Sequence, residues 1–211
     1  MSQTVFLLSP AHCGGKRAHM LFEPKSDFPL ALRLRGPGAP LGEVFAFLSG
    51  LYFRGKLAYA RAFQRTHSGR AGVLIIVPGQ GLVAAGRRVT IEYLQEIATV
   101  GVTPGEPNFE TPFAHDAWSL ARRLDETDRV VLLGSIATQK YAGILEQALG
   151  KRLHFPAAFV GRGDMSRGGL LLRRSREVRE LDYLPLAGAI RRGMRPPRLP
   201  TGHLHFPLIE R

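Results

Sequence analysis

The sequence predicts an α/β protein: a single compact domain with a mainly parallel open sheet flanked by helices, followed by a basic C-terminal tail. Two observations predict it. Four short apolar runs, TVFLLSPAHCGG, GVLIIVPGQGL, RVVLLGSIAT and FPAAFVGRGDMSRGG, each pass from a buried-strand pattern into small, polar or glycine-rich residues. Uninterrupted apolar runs of this kind suit strands covered on both faces, as in a parallel sheet. Between the runs lie helical patterns, and alternation of strand with helix is the signature of crossover connections. The 211 residues suffice for one substantial domain and are short for two. The domain is assigned to residues 1–185, and residues 186–211, rich in Pro, Gly and Arg, to a tail packed on it or extending from it.

Taken in chain order, the first run ends at Ser9 and Pro10. Gly14 and Gly15 then free the backbone to approach a ligand, and Lys16 and Arg17 supply positive charge, so this loop reads as a phosphate or sugar seat or as a glycine turn with exposed basic residues. The GxxxxGK[ST] spacing of a nucleotide-hydrolysing loop is absent. Cys13 reads either as a thiolate nucleophile near His12 and Lys16 or as a small buried residue. The stretch FEPKSDFPLALRLRGPGAP is expected to form a mobile loop or a short hairpin. LGEVFAFLSGLYFRGKLAYARAFQR reads as one long helix interrupted at Gly55, with Lys56 and Arg61 on a solvated basic face. Tyr52 and Arg54 pair an aromatic ring with a guanidinium and could stack on a base or hold a phosphate.

After the second run, Gln80 stands between two glycines and could read a base edge. Glu92, farther on, is a candidate general base, a ribose ligand or a helix-surface carboxylate. Ser135 or Thr138 caps the helix after the third run, Tyr141 faces either the cleft or the core, and the helix stops at Gly150. The last run leads into Arg162, Asp164, Met165 and Arg167, with Arg173 and Arg174 beyond. An isolated carboxylate among arginines suits a loop that holds a sugar phosphate beside a reacting centre. In open parallel sheets ligands sit outside the carboxyl ends of the strands, where these polar loops converge.

Charge narrows the partner. With 29 Lys and Arg against 17 Asp and Glu, the chain carries +12, which favours a polyanion, and nucleic acid first. There is no continuous apolar span of membrane length and no basic amphipathic helix with a bulky apolar face, so no membrane association is expected. One cysteine makes no internal disulfide, no Cys/His cluster has zinc spacing, and neither a metal nor another cofactor is expected. The start MSQTVFLLSP has too short an apolar core and no basic flank for a signal peptide, which points to the cytoplasm.

The segments LLSPA, SGLYFRGKLA, VPGQGL, TIEYL, LLGSIATQKY and GRGDMSR, in that order, resemble landmarks of the YaaA-like peroxide-stress family. The resemblance spans most of residues 4–174, and Arg162, Gly163, Met165 and Arg167 match a distinctive pattern. The chain departs from the family in three places: Asp164 replaces an apolar residue, S-P-A is not followed by Lys-Thr, and no helix-hairpin-helix segment is recognisable. The resemblance implies a compact α/β protein with a polar cleft, DNA as partner, and kinship with proteins of DNA damage protection and modified-base chemistry. Joined to the charge, it leads to the expectation of a DNA glycosylase that flips out a modified or damaged base, such as a modified phage base, and cleaves its N-glycosidic bond. Asp164 is the first candidate carboxylate and Glu92 the second, with Ser9, Pro10, Cys13, Ser135, Tyr141 and Met165 around the base, and Lys16, Arg17, Tyr52, Arg54, Gln80, Arg162, Arg167, Arg173 and Arg174 on the nucleic acid. Two rival expectations are a non-catalytic DNA-binding protein of oxidative or genotoxic stress and a nucleoside or nucleotide transferase.

Overall fold

Each of the first three apolar runs forms a strand in the computed structural model, which describes residues 2–136 and 139–197. The N-terminal part of the chain comprises β1 (Thr4–Leu8), α1 (Lys16–Phe22), α2 (Pro29–Arg35), β2 (Ala39–Pro40), α3 (Leu41–Ser49) and α4 (Leu51–Phe63). A hairpin of β3 (Val73–Val77) and β4 (Gly81–Ala84) follows, then β5 (Arg88–Val89), α5 (Ile91–Ala98), α6 (Pro107–Ala121) and β6 (Arg129–Leu133). The chain continues through α7 (Gln139–Leu149), β7 (Leu153–Pro156), α8 (Asp164–Arg176) and β8 (Tyr183–Pro185). The main sheet has the order β4-β3-β1-β6-β7-β8. Strands β3, β1, β6 and β7 are parallel, and only the two edge strands run the other way.

The apolar runs are continuous because both faces of this sheet are covered. Phe6 and Leu8 of β1, Val131 and Leu133 of β6, and Ile75 of β3 face a layer containing α1–α5 and α8. Their neighbours Val5, Leu7, Val130, Leu132 and Ile76 face α6 and α7, where Phe109, Phe113 and Leu145 close the second core. Among the described residues no helix is long and apolar enough to cross a membrane.

From β1 the chain crosses to β3 on one side and later to β6 on the other, so the order reverses at β1 and β6. Such a reversal opens a crevice at the carboxyl ends of the two strands. Ser9 caps β1 there and donates its amide to the Leu133 carbonyl at 3.2 Å.

Several elements differ from the sequence reading. The long helix is two helices: Gly50 takes φ 68° and ψ −132°, a conformation that L side chains avoid, and turns the chain between α3 and α4. Gly55, expected to interrupt, lies within a continuous α4. The stretch read as a mobile loop or hairpin forms α2, which buries Leu30, Ala31 and Leu34, and β2, which pairs with β5 in a small second sheet. The fourth apolar run stays in the ladder only to Pro156 and then enters a 3₁₀ turn over Ala157–Phe159. Gly150 does end α7, with φ 54°. Beyond residue 185 the chain packs on the domain: Leu186 is fully buried in the α6–α7 core, and Arg191 donates to both carboxylate oxygens of Glu146 at 2.6 Å. Residues 191–197 form no regular element, and residues 198–211 lie outside the described residues.

Helices α4 and α8 touch backbone to backbone. A Cβ on Gly55 would lie 2.6 Å from the Gly168 carbonyl oxygen, and one on Gly168 would lie 2.8 Å from the Tyr52 Cα. At its far end α4 is held by the Tyr59 hydroxyl, which accepts from the Leu181 amide and shares a hydrogen bond with Tyr183, both at 2.7 Å.

Gly168→Ala is expected to overpack this crossing at a cost of about 1–3 kcal/mol. Gly86→Ala, where a Cβ would meet nothing within 4 Å, should stay within about 0.5 kcal/mol of the parent protein. Urea unfolding of both variants checks the difference.

Candidate active site

The glycine crossing sets residues on α4 against residues on α8. Tyr52 and Lys56 flank Gly55, while Asp164 and Arg167 occupy the turn before Gly168. Below them lies the end of β1.

Lys56 is only 1 % exposed. Its Nζ donates to the Ser9 carbonyl at 2.7 Å and to Ser9 Oγ at 2.8 Å, and lies 4.6 and 4.7 Å from the ring centroids of Tyr52 and Phe53. Burial pulls its pKa down to about 7, and the Asp164 carboxylate opposes that shift. The helix stripe explains the burial: Tyr52, Phe53, Lys56, Leu57, Ala60 and Phe63 recur at helical spacing and are all buried. Lys56, expected on a solvated face, therefore belongs to the interior, whereas Arg61 is exposed as expected.

Tyr52 is also buried. Its hydroxyl, beside the Arg167 guanidinium, makes no hydrogen bond of good geometry among the described residues. Burial pushes its pKa up to about 12, with Arg167 pulling the other way.

Arg167, expected at the DNA surface, is instead buried. Its Nε and Nη2 donate to the Phe159 carbonyl at 3.3 and 3.0 Å, its guanidinium lies over the Phe159 ring, and Nη1 is 3.7 Å from Asp164 Oδ1. Arg167 thus joins the 3₁₀ turn to the start of α8 and lies within ion-pair distance of Asp164. Asp164 is the first residue of α8, where a negative charge is favoured by the helix dipole, and its side chain is 69 % exposed. The cluster runs inward from this open carboxylate through Arg167 and Tyr52 to Lys56 and Ser9.

The other expected residues divide. Arg162 donates to Ser166 Oγ at 3.1 Å, and Met165 is exposed next to Asp164. Arg174 pairs with Glu177 at 3.0 Å, and Arg173 is half-buried farther along α8. Pro10 and Ser135 are half-buried directly after the ends of β1 and β6; Thr138 lies outside the described residues. Lys16 is exposed at the start of α1. Arg17, which donates to the Phe47 carbonyl at 2.9 Å, and Arg54 line a separate groove with Met20, Phe28 and Phe47. Gln80, at the β3–β4 turn, donates to Glu96 at 3.1 Å.

Three residues stand apart from this cluster. Glu92 is fully exposed in the first turn of α5, and hydrogen bonds from Thr90 and from the Glu92 amide hold its pKa below the ordinary value, which stabilises the anion and weakens it as a base. Cys13 is buried near the Ala11 carbonyl, and burial pushes its thiol up to about 11, away from the thiolate a nucleophile needs. Tyr141 sits in the α6–α7 core, edge-on to Phe109 and Phe113. It lies across the sheet from Lys56.

No family model, curated protein or solved structure matches this chain. The functional reading therefore rests on the site itself.

Lys56 gives the site a pH signature. Its folded pKa, about 7, is below its value in the unfolded chain, so between the two the unfolded state holds a proton that the folded state has released. Stability contributed through Lys56 is lowest below pH 7 and rises with pH above it, by at most about 1.4 kcal/mol per unit. The stability of the parent protein relative to Lys56→Met is expected to increase from pH 6.5 to 9.5 in urea titrations.

Proposed function

We propose that the protein excises a modified or damaged base from DNA by cleaving the N-glycosidic bond. The observation that carries this reading is the open Asp164 carboxylate, held by Arg167 above a buried amine and hydroxyl at the sheet's carboxyl edge. Cleavage of an N-glycosidic bond builds positive charge on the sugar, and a fixed carboxylate at its face stabilises that charge or takes a proton from the attacking water. The net charge of +12 suits a polyanionic substrate. Lys16, exposed at the start of α1, is open to a phosphate flanking a flipped nucleotide.

Asp164 and Arg167 have different parts in this reading. Asp164 meets the reacting sugar, while Arg167 is a positioning residue whose guanidinium holds the turn behind the carboxylate and pairs with it at 3.7 Å. A non-catalytic DNA-binding protein would share the basic surface, yet would have no use for a buried lysine under an exposed carboxylate. A transferase acting on a free nucleoside would have little use for the charge.

The test is incubation with unmodified, uracil-containing and phage-derived modified DNA, with mass spectrometry of released base. Release from one of the latter two is expected. Asp164→Asn should lower turnover about 100-fold or more while DNA affinity and melting temperature hold. Release from none of these DNAs, or full activity in the variant, would contradict the assignment.

A further inference from the structure

The buried part of the site calls for its own explanation. A lysine amine withdrawn from water costs stability that an apolar side chain of similar length would not. Here it makes hydrogen bonds to both oxygens of Ser9, 2.7 Å to the carbonyl and 2.8 Å to Oγ. The carbonyl bond fixes the amine and the Oγ bond couples it to a group that can exchange protons. Ser9 lies where β1 and β6 end, at the reversal in strand order, the position at which open parallel sheets bind ligands. The charged and titratable groups around Lys56 are Tyr52 on its own helix and Asp164 and Arg167 on α8.

We infer that Lys56 and Ser9 form a proton relay to the departing base, and that the enzyme is built for neutral bases that leave poorly rather than for cationic N-alkylated bases that leave unaided. This rests on the base-excision reading. As the N-glycosidic bond breaks, its electron pair passes to the base. Ser9 Oγ gives its proton to a ring nitrogen or carbonyl oxygen of that base, and Lys56 Nζ gives a proton to Oγ. Serine is restored and the lysine is left neutral. Water adds its oxygen to the sugar C1′ and its proton goes to Asp164, from which solvent returns one to Lys56. The sum is one water consumed, one free base and one abasic sugar.

Burial supports the assignment, because an amine with a pKa of about 7 can be both charged and willing to lose its proton near neutrality. When Lys56 is replaced, the loss of rate varies with the basicity of the leaving base if the amine feeds a relay and is the same for every base if the amine is purely structural.

That dependence is the test. Rates of base release are measured for DNA carrying uracil or 5-fluorouracil, and 5-hydroxymethylcytosine or 5-formylcytosine, the second of each pair being electron-poor. Ser9→Ala, which keeps the backbone bond to Lys56, and Lys56→Met should lose about 10²–10⁴-fold on the electron-rich member and at least about tenfold less on its partner. Equal losses on both members, in variants that melt as cooperatively as the parent, would overturn the relay and leave the pair structural. A covalent adduct on Ser9 in intact-mass spectra would overturn it in favour of a serine nucleophile. Release of no base by the parent protein from any of the four DNAs would instead bring down the base-excision reading, and the relay with it.

Discussion

The close crossing of α4 and α8 at Gly55 and Gly168 is the constraint on which the rest of the candidate site depends. With no Cβ on either glycine the two backbones meet directly, the Gly168 carbonyl lying where a Gly55 side chain would be. Larger residues would hold helix axes about 8–10 Å apart and would move Asp164 and Arg167 away from Tyr52 and Lys56. Other contacts fix the two helices in place. Tyr59 anchors the C-terminal half of α4 to Leu181 and Tyr183, and Arg167 ties the start of α8 to the Phe159 carbonyl.

The crossing also arranges the electrostatics by depth. Asp164 remains in water at the helix N-terminus, where its charge is stable. Lys56 sits under aromatic rings, where charge is disfavoured, and Asp164 offsets part of that cost. Burial makes the Lys56 proton easier to remove, which suits the amine to the part of an acid near neutrality in the proposed reaction. The sheet contributes the place: Ser9 lies at the reversal of strand order, the position at which open parallel sheets bind ligands.

Much of the fold was legible because it depends on local pattern. Runs such as TVFLL and RVVLL can bury both faces only in a covered sheet, and they form adjacent parallel strands with Thr4 opposite Arg129 and Leu8 opposite Leu133. The edge strand β4 was harder to see, since its four residues follow β3 through a tight glycine turn. Of the two glycines in the long helical pattern, Gly50 breaks the helix and Gly55 does not; a sequence gives the same letter for a glycine that supplies a turn and one that makes room for another helix. Lys56 was misread by residue type, although its spacing from Tyr52, Phe53 and Ala60 placed it on the buried stripe. Asp164 was read as an isolated carboxylate among arginines, and it stands exposed at the start of α8. That Arg167 is buried against the Phe159 carbonyl rather than open to phosphate is a tertiary fact. Tyr141 could not be assigned to core or cleft until Phe109 and Phe113 were seen around it.

The central claim is that Asp164 faces a sugar that becomes positively charged. DNA containing a cationic pyrrolidine in place of the target sugar mimics that charge, and DNA containing a neutral tetrahydrofuran mimics only the shape. Comparing their dissociation constants for the parent protein and for Asp164→Asn isolates the contribution of the carboxylate. The account predicts that the parent protein binds the pyrrolidine DNA about 10²-fold or more tightly than the tetrahydrofuran DNA, and that most of this margin disappears in Asp164→Asn. Equal affinity for the two DNAs in the parent protein, or a margin untouched by the substitution, would contradict it.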